Sequence, residues 1–125
     1  MKRFAIVTVV LALLIGATSA SAAGLSGTFT TVIKGSSGLA GTWSIKFSHG
    51  NYRVIENGKT VVRGKYTASG PKLIMKDKSG VAACRPTGRY RFSRSGRKLR
   101  FQNTGDHSAA CAGRAAVLSH TFTKS

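Results

Sequence analysis

From Gly41 onward, apolar residues alternate with polar, mostly cationic ones along a series of short segments. Trp43, Ile45 and Phe47 interleave with Thr42, Ser44 and Lys46; Tyr90 and Phe92 with Arg89 and Arg91; Leu99 and Phe101 with Lys98 and Arg100. A period of two is that of a strand with one face in a core and the other in water. Gly, Ser, Asn and Pro punctuate the chain about every ten residues, the rhythm of an antiparallel meander or barrel. No segment after residue 23 reads as an amphipathic helix. The pattern predicts eight strands, over 25–34, 41–48, 52–56, 60–68, 72–76, 88–93, 98–102 and 114–124. Asn57-Gly58 is the sharpest turn signal, because both residues tolerate the positive φ of a type I′ hairpin.

Consistent inward sets follow from the alternation: Phe29, Thr31 and Ile33; Trp43, Ile45 and Phe47; Tyr52 and Val54; Val62, Gly64 and Tyr66; Leu73 and Met75; Tyr90 and Phe92; Leu99 and Phe101. The last strand is ambiguous, since Leu118 and Phe122 share a face with His120 while Val117 faces the other way. Eight strands joined by hairpins close into an antiparallel up-and-down barrel, which removes the exposed edges. A five-stranded OB-like barrel or a two-sheet sandwich uses the strand count less directly. In the barrel, connections 1–2, 3–4, 5–6 and 7–8 lie at one end. Cys84 falls in the third of these and Cys111 in the fourth, so both sit at one rim.

The first residues stand apart. Lys2 and Arg3 precede an apolar run, 4–15, and then the small residues Ala17-Thr18-Ser19-Ala20-Ser21-Ala22-Ala23. This is the layout of a secretory signal peptide, and the run is short of the roughly 20 apolar residues a spanning helix needs. The expected organisation is a cleaved leader, 1–23, and one domain, 24–125, exported to the periplasm or the medium. Eighteen basic residues then remain against Glu56, Asp77 and Asp106, a net charge of about +15 that acts on partners and solubility rather than on fold. An even pair of cysteines in an oxidising compartment reads as one disulfide. A metal alternative lacks further ligands at short spacing.

A resemblance enters here. Gly41-Thr42-Trp43 supplies a G-x-W opening, followed by Gly64-Lys65-Tyr66-Thr67 leading into 72–76. Cys84 precedes Gly88-Arg89-Tyr90, and Cys111-Ala112-Gly113-Arg114-Ala115-Ala116-Val117-Leu118 closes the series. In this order the motifs are similar to small secreted bacterial proteins of the calycin, or lipocalin-like, type, over essentially the whole exported part. In lipocalins G-x-W lies on the first barrel strand, whereas here 25–34 precedes it. The resemblance implies an Arg near the last strand packed over the Trp, and Arg114 is the candidate. A guanidinium on an indole face contributes about 0.5–2 kcal/mol. The alternative is that Arg114 caps the disulfide loop and meets water.

Catalytic chemistry needs convergent groups, and none is evident. Glu56, Asp77 and Asp106 read as solvated turn or strand-end residues, and Asp106-His107 point apart as neighbours in an extended segment. His49, His107 and His120 have no metal-ligand spacing, and neither G-x-S-x-G nor a P-loop occurs. No catalytic residue, metal or cofactor is expected. Two surfaces remain. Inside, Trp43, Tyr52, Tyr66, Met75, Tyr90, Phe92, Phe101 and Phe122 either fill the barrel or line a pocket for one small apolar ligand. Outside, Lys46, Arg53, Arg63, Lys65, Lys72, Lys76, Arg89, Arg91, Lys98 and Arg100 form a cationic face. Those charges exclude a lipid-facing barrel. The face suits anionic envelope polymers, extracellular DNA or acidic proteins by electrostatics alone. With the aromatics inward it has no platform for base stacking, so sequence-specific nucleic-acid binding is not expected.

The first functional expectation is therefore a non-catalytic, monomeric lipocalin-like binder of a small apolar ligand. A protein–protein module is the second, such as an extracellular protease inhibitor acting through a free N-terminal segment, 24–28, by analogy of fold. The third is a cationic surface binder.

Overall fold

The computed structural model describes residues 25–125. The expected leader lies outside the described residues. Strands β1 (Gly27–Ile33), β2 (Gly41–Ser48), β3 (Asn51–Glu56), β4 (Lys59–Ser69), β5 (Lys72–Ser79), β6 (Gly88–Ser95), β7 (Lys98–Asn103) and β8 (Phe122–Lys124) pair in sequence order and close into one antiparallel barrel. The expected up-and-down barrel is the observed fold. Asn57 and Gly58 both adopt positive φ, 48° and 84°, as the tight β3–β4 turn requires.

The strand expected over 114–124 is not formed. Ala112–Leu118 makes a short helix, α1, and only Phe122–Lys124 remains as β8. Arg114, Ala115, Ala116 and Leu118 are strong to fair helix formers. As a strand, the segment would have sent Val117 and Leu118 to opposite faces. As a helix it buries both, with Arg114 one turn back on the same side. The barrel closes through a narrow seam as a result. β8 pairs Thr123 with Lys98 and Phe122 with Leu99 on one side, and Lys124 with Phe29 and Thr123 with Thr30 on the other. Arg97 clips that seam, donating from Nε and Nη2 to the Lys124 carbonyl at 3.1 and 2.6 Å.

The two ends of the interior differ. At the end carrying the β2–β3, β4–β5 and β6–β7 turns, Leu25, Phe29, Phe47, Tyr66, Leu73, Phe92, Leu99 and Phe122 are buried together. Tyr66 stands edge-on to Phe47 at 5.1 Å, and Phe122 edge-on to Phe101 at 5.7 Å. The Arg94 guanidinium lies 4.9 Å from the centre of the Phe29 ring. At the other end α1 lies across the mouth, flanked by the Cys84 and Cys111 loops. The outward cations named above are exposed on the strands, with Arg53 half-buried among them. Among the described residues no helix is long and apolar enough to cross a membrane.

Candidate functional site

The α1 end holds an arrangement that alternation alone leaves hidden. Tyr52, Gly64 and Asp77 lie opposite one another on β3, β4 and β5. Gly64 carries no side chain, and a Cβ there would stand 2.3 Å from the Tyr52 ring. The ring lies across the glycine, and its hydroxyl donates to Asp77 Oδ1. The Cys84 N–H donates to Asp77 Oδ2 at 2.9 Å. On the opposite side, Asn103 Oδ1 accepts the N–H groups of Gly105 and Asp106, a side-chain-closed turn that aims the Asp106 carboxylate inward. The Tyr90 hydroxyl donates to Asp106 Oδ2.

Arg114 enters between these two carboxylates from α1. Its Nε and Nη2 donate to Asp106 at 2.7 and 2.8 Å, a bidentate fork, and Nη2 also donates to the Pro86 carbonyl at 2.7 Å. Nη1 stands 3.5 Å from Asp77 Oδ1, an ion pair with no hydrogen bond. Gly88 makes the room, since a Cβ there would lie 2.8 Å from Nη2. Asp77 and Asp106 are 6 % and 3 % exposed, so the expectation of solvated carboxylates is corrected for both. Neither expectation for Arg114 describes it fully. It does tie down the disulfide loop through Pro86, but its side chain is 8 % exposed and its charge is taken up by carboxylates. The Trp43 indole N–H donates to the Leu39 carbonyl at 2.7 Å.

The electrostatics follow from burial and pairing. Burial alone would raise the Asp106 carboxyl; the hydrogen bonds from Arg114 and Tyr90 and the charge of Arg114 outweigh it and hold the group below its ordinary 3.8. Burial raises the Tyr52 and Tyr90 phenols well above their ordinary 10.0, and their bonds to Asp77 and Asp106 add to it. The unfolded chain therefore takes up the Asp106 proton first as pH falls, and loses the tyrosine protons first as pH rises. The urea midpoint should decline below about pH 4 and above about pH 10, with a plateau between. Phenolate absorbance from Tyr52 and Tyr90 should emerge with unfolding. Its appearance in the native protein would contradict this placement.

Between α1 and the barrel interior lies a cavity of about 110 Å³. Trp43, Tyr52 and Met75 contribute to its walls, with Ile45, Val54 and Val62 beside them and Arg114 and Asp77 at its polar side. The exposed residues Ala82, Ala110 and Gly113 open it to the surface. Cys84 and Cys111, bridged with their Cα atoms 5.4 Å apart, join the two loops that frame this mouth. Of the other side chains expected to line the interior, Tyr66, Phe92 and Phe122 pack the filled end. Tyr90 serves Asp106, and Phe101 is half-buried beside Tyr90 and Phe122. The segment expected as a free arm is built into the barrel. Leu25 is fully buried, and Gly27 and Thr28 pair with Phe47 and Lys46; Gly24 lies outside the described residues.

Among the described residues no three His, Cys, Asp or Glu side chains converge to hold a metal. Asp77, Asp106, Tyr52 and Tyr90 resemble an acid–base set in composition, yet each is engaged by another member or by Arg114. Comparison of the chain with protein-family models, curated proteins and solved structures finds no match.

Proposed function

We propose that this chain is an exported, non-catalytic, lipocalin-like binding barrel that holds one compact, mostly apolar ligand in the cavity beneath α1. The observation that carries this reading is the Arg114 guanidinium. Arg114 and Asp77 line the polar side of the cavity, and the Arg114 Nη1 is buried with no hydrogen bond, its one partner being the Asp77 ion pair at 3.5 Å. Buried donors are nearly always satisfied, so an acceptor atom on a ligand completes the site. The remaining wall is indole, thioether and aliphatic surface, which favours a ligand that is otherwise apolar. The disulfide supports an oxidising location.

Size and charge narrow the ligand. Ordinary drug-sized pockets run from about 300 Å³, and an engineered apolar cavity of about 150 Å³ holds benzene. A space of about 110 Å³ suits a molecule of roughly six non-hydrogen atoms, and at that size the dissociation constant is no tighter than about 10⁻⁷ M. Two carboxylates face one guanidinium, leaving the site net negative, so a neutral acceptor is favoured over an anion.

The test is an NMR titration with three probes: cyclopentanone, cyclopentane and cyclopentanecarboxylate. Cyclopentanone should give saturable shifts at the Trp43 ring, the Met75 methyl and the Arg114 Nε–H. Cyclopentane, lacking the acceptor, should bind about tenfold more weakly or less, and the carboxylate more weakly still. Carboxylate binding as tight as the ketone, or no saturable shift at these groups, would overturn the reading.

A further inference from the structure

The outer face of β2, β3 and β4 carries a dense row of cations. Lys46 lies directly opposite Arg53, and Arg53 directly opposite Arg63, so three cations form one row across three strands. One step along, Lys65 lies opposite Lys76. Like charges in direct opposition destabilise a sheet, and among the described residues no acidic side chain is paired with these. Asp77 and Asp106 are committed to Arg114 inside, and Glu56 sits at the other end of β3, opposite Trp43 and Lys59. The side chains of Lys46, Arg53 and Arg63 form no ion pair with any described residue. A shallow groove of about 490 Å³ runs over the row, with His49, Asn51 and Ser48 among its walls.

β6 and β7 show the contrast. They also carry many cations, but there Arg91 faces Gln102 and Arg100 faces Ser93. On that side the one cationic pair in direct opposition is Lys72 with Arg91, whereas β2–β4 carry three cations in an unbroken row. The row spans about 10 Å at the usual strand spacing, so its cations address successive charges of an extended chain rather than one small anion. Tyr52 borders the groove but is only 2 % exposed, and Trp43, Phe47 and Tyr66 are buried, so the single exposed ring is His49, too little to stack successive unpaired bases. We infer that this groove binds a flexible, linear anionic polysaccharide laid across β2, β3 and β4, with Lys46, Arg53 and Arg63 as its principal contacts.

Alginate, a uronate polymer, is the probe, titrated against the disulfide-intact protein over a range of salt. With about three charges neutralised, the slope of log K on log salt should be near −2. Arg53→Glu makes the row alternate in sign. It should raise the urea midpoint while weakening alginate binding about tenfold, a combination that misfolding cannot produce. Arg91→Glu changes net charge equally and also relieves a like pair, with Lys72, yet should weaken binding less than twofold. Equal weakening by the two variants would overturn the inference, reducing the binding to net charge. So would binding of oligo-dT, duplex DNA or phosphatidylglycerol vesicles as tightly as alginate at matched charge concentration.

Discussion

Replacing Arg114 with Met should cost about 3–5 kcal/mol of stability, because it leaves two carboxylates buried without a cationic partner. For a domain of this size such a loss lowers Tm by roughly 15–30 °C. The magnitude comes from the partners left behind rather than from the net worth of the ion pairs. Asp106 loses a bidentate fork and Asp77 its only ion-pair partner among the described residues, while the tyrosine hydroxyls can supply only neutral donors. Arg114→Lys should recover little, since one ammonium cannot span Asp106, Asp77 and the Pro86 carbonyl together. The triple variant Arg114→Met/Asp77→Asn/Asp106→Asn separates the causes. Removing all three charges should restore most of the lost stability. A loss below 1 kcal/mol for Arg114→Met would mean that the carboxylates reach water.

The second large effect is removal of the disulfide. Cys84 and Cys111 are 27 residues apart, and closing a loop of that length stabilises by about 3–4 kcal/mol on the chain-entropy account. Cys84→Ala/Cys111→Ala should lower the urea midpoint accordingly. Alanine is the suitable replacement because Cys111 is fully buried and a serine hydroxyl there would be left in an apolar setting. The two perturbations should not be additive. The Cys84 N–H holds Asp77, and the Pro86 carbonyl in the same loop holds Arg114. A double-mutant cycle should therefore show a coupling of about 0.5–3 kcal/mol. Strict additivity would mean that loop and ion cluster are independent. Because the bridge frames the cavity mouth, its loss should also abolish the saturable cyclopentanone shifts.

The barrel was readable from the chain because its strands carry the information twice, in period-2 alternation and in turn residues such as Asn57-Gly58. The site was only partly readable. Leu73, Met75 and Asp77 share one parity, so the strand that ends at 76 in the alternation needs only one more residue to turn Asp77 inward, and β5 in fact runs to Ser79. Gly64 stood on the inward face of β4 from the alternation alone, yet its role depends on Tyr52 and Asp77 falling opposite it on two other strands. That register includes shifts between Val54 and Ile55 and between Arg63 and Gly64, which alternation does not specify. Asp106 is aimed by an Asn103 side-chain turn, a tertiary choice within a loop. The helix α1 is two turns long, too short for a 3.6-residue period to stand out, and it delivers Arg114. The cluster thus lies where long-range pairing outweighs local pattern.

The most direct test of the binding site is to close its mouth. Gly113 lies on α1 at that opening, and a Cβ added there meets no atom within 4 Å. Gly113→Phe should therefore fold, with a urea midpoint at or above that of the parent protein, while its ring fills the entrance. Followed at the Trp43 ring by NMR, cyclopentanone should give a saturable shift in the parent protein and none in Gly113→Phe. The same saturable shift in both proteins, or none in either, would contradict a ligand site beneath α1.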